Sequence, residues 1–122
     1  MPGLDLARYD IATAEAMLSA GRYLYVLFCC QQGTEKCLKA LIVERTGTFP
    51  PRTHDLVRLA RTAGLAPTEE QLQFLMSLTK YYIGTRYPEE VATLSREATE
   101  SLASQFLQKT REVLAWFEVR PT

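Results

Sequence analysis

Apolar residues recur at helical spacing along most of the chain, and the first segment shows the pattern most simply. It carries a single apolar stripe whose members are three or four residues apart: Leu4, Ala7, Ile11, Ala14 and Leu18. Gly21 follows this stripe and marks the expected end of the helix, because glycine readily adopts the conformation that closes a helical turn. The chain therefore begins with a predicted amphipathic helix that buries one side.

A second, longer helix is predicted from about Arg22 to Arg45, with Gly47 beyond it. Its apolar residues are too numerous for one narrow stripe, which indicates a central helix in contact with several others. Gly33 lies in its middle, where a glycine costs about 1 kcal/mol relative to alanine. We expect another helix to approach closely at this position.

A turn rich in glycine and proline, "TGTFPPRT" at residues 46–53, separates this helix from the next one. Thr53 is the expected N-cap of a short third helix. Asp55 falls in the expected first turn, where a carboxylate interacts favourably with the helix dipole.

Two further signals divide the second half of the chain. Thr68 and Gln71 have the spacing of a capping box and predict the start of a fourth helix. The stretch "TRYPEE", residues 85–90, is expected to be a loop, because a proline disfavours helical geometry in the residue before it. A last helix is predicted from near Ser95 to near Phe117.

No segment alternates apolar and polar residues in the manner of a strand. We therefore predict an all-α fold, an up-and-down bundle of four main helices plus one short helix. The length of 122 residues fits a single domain over residues 1–122, with a core from about residue 5 to about residue 118.

Charge is balanced along the whole chain, because 14 Lys and Arg residues stand against 14 Asp and Glu residues. This balance excludes the broad basic surface that non-specific nucleic-acid binding requires. It leaves room for a small local basic pocket.

Cysteine usage and hydropathy indicate a reducing, cytoplasmic location. Cys29, Cys30 and Cys37 are odd in number and lie in an apolar helical stretch, which favours buried thiols over disulfides. Charged residues near the N-terminus, among them Asp5, interrupt any signal-peptide pattern. The longest uncharged stretch, residues 23–34, is too short to span a bilayer, so we expect no membrane partner.

The stretch "QQGTEKCLKA", residues 31–40, is the first of three candidate sites. Gln32, Lys36 and Lys39 share one helix face, and Glu35 precedes Lys39 by four residues, the favourable order for an ion pair. This face is either a phosphate-binding group or an ordinary solvated helix surface.

The other two candidates lie at prolines. His54, the only histidine, has no paired nucleophile, so it donates either to a ligand or to a nearby backbone carbonyl. In "YYIGTRYPEE", residues 81–90, Arg86 and Tyr87 offer a phosphate contact and a stacking surface, or Arg86 caps a helix end. The sequence has no Gly-rich phosphate loop, nucleophile elbow or clustered metal ligands, so we expect no cofactor and no metal.

Taken together, these motifs resemble those of a HEPN domain, the "higher eukaryotes and prokaryotes nucleotide-binding" family. The resemblance covers roughly residues 5–118 and rests on the order and spacing of "QQGTEKCLKA", "THDL" and "RYP". Gly33 departs from the family pattern, which more often has alanine there.

The resemblance implies an up-and-down helical bundle, usually a homodimer, and for small stand-alone members a minimal nucleotidyltransferase partner in a toxin–antitoxin-like pair. Many members are metal-independent RNases whose motif is an arginine, four to six intervening residues and a histidine. After Arg86 the corresponding positions hold Val91, Ala92 and Thr93, and the sole histidine lies upstream. The RNase residues of the family therefore cannot be carried over.

Three hypotheses remain, and we favour a non-catalytic nucleotide- or phosphate-binding and dimerisation module. Its candidate binding residues are Lys36, Lys39, His54, Arg86 and Tyr87. In this role the cations hold phosphate, the tyrosine stacks on a base and the histidine donates a hydrogen bond. The second hypothesis is a metal-independent endoribonuclease that binds RNA and uses His54 with Arg86, which requires a dimer to bring two histidines together. The third is a purely structural dimerisation domain.

Overall fold

The structure, a computed structural model, describes residues 2–82 and 87–119. These residues form helices and no strand, and none of the helices is long and apolar enough to cross a membrane. The all-α prediction is confirmed. The helices are α1 Pro2–Ser19, α2 Tyr23–Thr46, α3 Leu56–Thr62, α4 Glu69–Thr79, α5 Pro88–Glu97 and α6 Glu100–Val119.

The second helix is the centre of the bundle, because α2 packs against each of the other five described helices. The consecutive residues Val26, Leu27 and Phe28 are all buried, although each points about 100° away from the one before it, so more than one side of α2 is covered. Burial of such side chains stabilises the fold by about 1.5–3 kcal/mol each. The predicted central helix is confirmed, and its polar residues are consequently held within a rigid framework.

The first helix crosses α2 very closely at Gly33. A Cβ atom at this position would lie 3.3 Å from the carbonyl oxygen of Ala7 and 3.3 Å from the Cβ of Asp10. These distances are shorter than ordinary van der Waals contact, so the expected close approach is confirmed. The crossing places Asp10 beside the polar face of α2.

Ion pairs show how α1 and α6 run relative to each other. Arg8 pairs with Glu118 at 3.0 Å, and Glu15 pairs with Arg111 at 2.6 Å. The start of α1 therefore lies beside the end of α6, and the two helices are antiparallel. The pairs are largely exposed, so they mark the alignment and contribute little stability.

The chain doubles back after α2. Gly47, with φ 67°, adopts the left-handed conformation that ends this helix. The following loop returns along α2 until His54 lies beside Glu35, and α3 then runs forward until the Ala63 carbonyl accepts from Arg45. The loop and α3 thus lie side by side along roughly 15 Å of the second half of α2.

The start of α3 differs from the prediction. Asp55 is the N-cap, and its carboxylate accepts from the backbone N–H groups of Val57 and Arg58. Thr53, the predicted N-cap, accepts instead from the Asp55 N–H, so that prediction is wrong by two residues. Aspartate is the better capping residue of the two. His54 consequently precedes the helix rather than lying in its first turn.

The fourth helix begins and ends with side-chain hydrogen bonds. Thr68 and Gln71 exchange side-chain-to-backbone bonds in a capping box, as predicted. At the other end, the Thr79 hydroxyl accepts from the Leu56 N–H and so joins the end of α4 to the start of α3. Tyr82 follows three residues later and is thereby brought near the loop that carries His54.

The last part of the chain contains one helix more than predicted. Pro88 is the first residue of α5, because its fixed φ suits the first helical position, so the loop predicted over 85–90 is wrong at its end. Ala98 then leaves helical geometry, with ψ 83°, and α6 begins at Glu100 rather than near Ser95. The bundle therefore has two short helices, α3 and α5, among its described elements.

All three cysteines are free thiols, but they differ in exposure. Cys30 and Cys37 are buried, and burial raises the pKa of both thiols to about 12. Cys29 is only half-buried, and its pKa is raised first by burial and then by the Asp10 carboxylate. The prediction of buried thiols therefore holds fully for two of the three.

We expect a thiol reagent such as a maleimide to label Cys29 first under native conditions. Cys30 and Cys37 react only when the bundle opens, because a protonated, buried thiol is a poor nucleophile. Mass spectrometry of a labelling time course measures the order. The Cys29→Ser variant should lose the fast phase, and a fast phase that survives this substitution would contradict the burial of the other two.

Candidate functional site

The candidate site is organised around the carboxylate of Glu35 on α2. The Glu35 side chain is 15% exposed. Gln31 Nε2 donates to its Oε1 at 2.8 Å, and Lys39 Nζ donates to its Oε2 at 2.9 Å. His54 Nδ1 lies 2.8 Å from Oε1 and comes from the loop before α3. The spacing of four residues on one helix explains the first two contacts, whereas the third depends on the fold.

These contacts keep Glu35 ionised. Burial alone favours the neutral acid, but the hydrogen bonds from Gln31, Lys39 and His54, together with the charge of Lys39, outweigh burial and lower the pKa of the carboxyl. Hydrogen bonds to a charged group contribute about 1.5–3 kcal/mol each, so the cluster also fixes its members in place.

Tyr82 holds the other side of His54. The two rings are stacked, with centroids 4.5 Å apart and planes 7° from parallel. His54 is therefore positioned by a hydrogen bond at Nδ1 and by a ring on one face. Its side chain remains 49% exposed, and Nε2 has no hydrogen-bond partner among the described residues.

Asp10 on α1 supplies a second carboxylate to the site. Its Oδ2 lies 3.0 Å from Lys36 Nζ, and its side chain is 13% exposed. The contact is an ion pair without hydrogen-bond geometry, since this buried oxygen has no partner at a suitable angle among the described residues. The close helix crossing at Gly33 is what brings the carboxylate within reach of Lys36.

Between these groups lies a cavity of about 150 Å³, lined by Gln31, Gln32, Glu35, Lys36 and His54. Gln31 is fully buried, and its amide orientation follows from its bond to Glu35, because only the NH₂ group can donate to a carboxylate. Its Oε1 has no hydrogen-bond partner in the part of the chain that the structure describes. The cavity is therefore lined by two amide side chains, one carboxylate, one lysine and one histidine.

A larger groove of about 370 Å³ lies between α4 and α6, around Phe74 and Phe106. Its charged lining residues, such as Lys109, are exposed at the rim, and none of them belongs to the three candidate motifs. By volume, this groove is the better candidate for a ligand site. The smaller cavity at Glu35, however, brings buried and charged groups together, and we therefore place the candidate site there.

The structure brings three of the five predicted binding residues together. Lys36 and His54 line the cavity, and Lys39 joins the cluster through Glu35 without lining it. Tyr87 is the N-cap of α5, is 74% exposed and does not line the cavity. Arg86 lies outside the described residues.

Sequence analysis paired Glu35 with Lys39, which the structure confirms, but it missed three other members of the site. Gln31 could have been found from the four-residue spacing that continues through Glu35 to Lys39. Asp10 and Tyr82 left no local signal, because their contacts to Lys36 and His54 join separate elements.

Comparison with known proteins agrees with this architecture. The family model of the HEPN domain matches residues 4–120, and the chain belongs to the HEPN domain family. TT1696 from Thermus thermophilus has a similar structure, with a TM-score of 0.80 and 30% identity over 96% of this chain and 94% of that chain. ST0689, an archaeal HEPN homologue, has a TM-score of 0.74 and 24% identity over 96% and 93%, which shows the shared fold. No curated protein matches the chain.

We expect Glu35→Gln to lower the free energy of unfolding at neutral pH by about 1.5–3 kcal/mol, because Lys39 and His54 lose an anionic partner. The folded state lowers the pKa of Glu35, so its stabilisation is complete above the ordinary value of 4.5 and is lost as pH falls below it. Urea denaturation at a series of pH values from about 7 to about 3 measures the difference from wild type, which should shrink with acidification.

The matched control is Glu44→Gln, which removes an exposed carboxylate from the same helix. It should change stability by less than about 0.5 kcal/mol at every pH. A Glu35→Gln difference that stays constant down to the acid end of the series would show that the ionised carboxylate is not the stabilising form.

Proposed function

We propose that this HEPN domain is a non-catalytic nucleotide- or phosphate-binding and dimerisation module, the partner of a minimal nucleotidyltransferase in a toxin–antitoxin-like pair. The observation that carries the binding proposal is the cavity beside Glu35, which is lined by amide, lysine and histidine side chains. The absence of the family's RNase spacing after Arg86 supports a non-catalytic role.

A nucleotide fits the chemistry of this cavity because it presents both acceptors and donors. Lys36 has three N–H donors and forms an ion pair with Asp10 without hydrogen-bond geometry, so its donors are available to phosphate oxygens. The partly exposed amide of Gln32 in the cavity lining can accept from an amino or hydroxyl donor of a base or ribose. The volume of about 150 Å³ is below the roughly 300–1,000 Å³ of a drug-sized pocket, so it accommodates one part of a nucleotide while the rest lies outside.

Lys39 contributes to anion binding indirectly. A phosphate near Glu35 would be repelled by an uncompensated carboxylate, but Lys39 neutralises that charge at 2.9 Å. Asp10 and Lys36 form a second balanced pair. The site is thus close to neutral overall, and any net attraction for a phosphate comes from the part of Lys36 that Asp10 does not engage and from His54.

The role of His54 depends on whether its Nε2 atom carries a proton. A neutral ring that donates to Glu35 through Nδ1 can only accept at Nε2, whereas an imidazolium donates through both nitrogens. A phosphate contact at Nε2 is therefore made by the imidazolium, with Glu35 as its counter-charge.

The same Glu35–His54 bond favours one alternative, a metal-independent endoribonuclease. A carboxylate that orients a histidine is a common arrangement for general acid–base catalysis. The binding module remains our choice, because no arginine of the sequence is followed by a histidine at the RNase spacing of the family.

We expect isothermal titration with AMP and ATP to detect binding that is weakened by about 1–2 kcal/mol, roughly tenfold, in either Lys36→Ala or His54→Ala. Lys109→Ala, an exposed lysine on α6, is the control and should leave affinity unchanged. Arg86→Ala should weaken the same binding, and its effect should be non-additive with that of His54→Ala if both residues share one site.

Two results would count against this assignment. One is equal nucleotide affinity in wild type, Lys36→Ala and His54→Ala. The other is degradation of RNA by the purified protein that His54→Ala abolishes without unfolding it, which would replace the binding module with the RNase alternative.

The dimerisation part of the proposal rests on an exposed face of α2. Tyr25 and Val43 are 55% and 49% exposed and are separated by a whole number of helical turns, so they share one face. Gln32 and Lys36 of the cavity lie between them on the same face. Tyr9 of the adjacent α1 is also 73% exposed. We infer a two-fold interface on this face, beside the cavity.

Light scattering at micromolar concentration should give twice the chain mass of 13.8 kDa for wild type and a single chain mass for Tyr25→Glu/Val43→Glu. A buried like charge on both copies opposes association across a symmetric interface. Met76→Glu, at an exposed position of α4, is the control and should remain dimeric. A wild-type monomer at these concentrations would remove the dimer from the proposal.

The nucleotidyltransferase partner is supported by membership in the HEPN family and by the lack of the RNase motif. Co-expression of this chain with the product of its neighbouring gene, followed by affinity purification through a tag on this chain, tests the pairing. Recovery of a stoichiometric complex is the expected result, and independent elution of the two proteins would contradict it.

A further inference from the structure

The neutral chain divides its charge unevenly. Residues 45–63 contain four arginines and a single carboxylate, Asp55, so this stretch carries a net charge of +3 and the rest of the chain carries the opposite charge. Even if the neighbouring Glu44 is counted, an excess of two positive charges remains. The carboxylate of Asp55 is already engaged as the N-cap of α3.

Three of these arginines are exposed and lack an anionic partner within residues 2–82 and 87–119. Arg52, Arg58 and Arg61 form no ion pair with another described residue. Elsewhere in the described chain most cations are paired, as Lys36 is with Asp10. Arg58 and Arg61 also lie one turn apart on α3, where like charges cost stability rather than add to it. Stability of the fold therefore does not explain them.

An exposed aromatic ring lies in the same stretch. Phe49 is 96% exposed, the highest value among the large apolar side chains of the described residues. Pro50 and Pro51 follow it and fix two backbone φ angles, so the ring is presented on a stiff segment. A fully hydrated phenylalanine gains free energy when another flat or apolar surface covers it.

These four exposed residues lie on two neighbouring segments of the chain. The loop with Phe49 and Arg52 runs back along α2 to His54, and α3 with Arg58 and Arg61 runs forward beside it. The two segments together cover roughly 15 Å. We call the set Phe49, Arg52, Arg58 and Arg61 the arginine strip. It begins at the mouth of the cavity, because His54 belongs to both the cavity and the loop.

We propose that the arginine strip binds the backbone and a base of a single-stranded nucleic acid whose terminal or flipped nucleotide enters the cavity at Glu35. This rests on the proposed function and extends it from a mononucleotide to a polynucleotide ligand. The arginines contact successive phosphates, and Phe49 stacks on a base, the combination by which single strands are held without sequence readout.

A single strand fits these features better than an acidic protein surface. A strand supplies phosphates at regular intervals and flat rings beside them, so it satisfies the arginines and Phe49 at once. The terminal nucleotide of a strand can also enter the cavity, which accommodates one part of a nucleotide. An acidic peptide would satisfy the charges but would leave the cavity unexplained.

The test is fluorescence anisotropy with labelled oligo(dT) about 12 nucleotides long, which lacks the 2′-hydroxyl that a metal-independent RNase requires. Arg58→Ala/Arg61→Ala should weaken binding at least about tenfold and reduce the slope of log K against log salt by about 1.4, the share of two single-strand phosphates. Phe49→Ala should weaken binding about fivefold or more with an unchanged salt slope, because it removes stacking and no charge.

The matched control is Arg96→Ala/Lys109→Ala, which removes two exposed cations from α5 and α6. It should leave affinity and slope at wild-type values. Equal losses in this control and in Arg58→Ala/Arg61→Ala would overturn the proposal, as would binding that Phe49→Ala leaves intact. Displacement of the labelled strand by polyglutamate as efficiently as by unlabelled strand would also overturn it, in favour of an acidic protein partner.

The strip and the cavity can fail separately. Arg58→Ala/Arg61→Ala should retain the AMP affinity of wild type. If AMP binds and oligo(dT) does not, the proposal for the arginine strip is refuted and the proposal of nucleotide binding in the cavity is retained. If oligo(dT) binding depends on the strip while AMP does not bind, the strip is supported and the mononucleotide proposal fails.

Discussion

The ionised carboxylate of Glu35 is the constraint on which the candidate site depends. A carboxylate that is mostly buried stays charged only if donors compensate for the burial, and here they come from α2 itself and from the loop before α3. Because one donor is His54, the carboxylate also determines where that loop turns toward the helix start at Asp55. Tyr82 stacks on the His54 ring, so the end of α4 also lies near the site.

Local signals in the sequence predicted the parts of the fold that depend on neighbours along the chain. The glycine that ends α2 and the capping box at Thr68 are of this kind, since a few adjacent residues decide each. The errors arose where two local signals compete. Thr53 and Asp55 are both good N-caps, and only the docking of α3 selects the second. Pro88 disfavours helical geometry in the residue before it but is itself well suited to the first position of a helix. The loop prediction considered only the first of these effects.

The site was predictable in its residue types but not in its pairing. The Glu35–Lys39 contact follows from a spacing of four and was readable. The partners of Lys36 and His54 lie on other elements, and His54 is 19 residues from Glu35 in the chain. Lysines that look available in the sequence are therefore engaged by carboxylates in the fold. The engagement by carboxylates lowers the affinity expected for a phosphate. Selectivity among anions then depends on how strongly each lysine is bound by its carboxylate.

The glycine at the helix crossing has a consequence for that selectivity. Position 33 acts as a spacer between α1 and α2, since an added methyl group would push the Ala7 carbonyl or Asp10 away by a few tenths of an ångström. Asp10 is the counter-ion of Lys36, so a wider gap loosens the ion pair and releases positive charge toward the cavity. An alanine in place of Gly33 would thus change an exposed charge from within the core. One buried methyl group in this chain would alter its attraction for anions while every polar residue stayed the same.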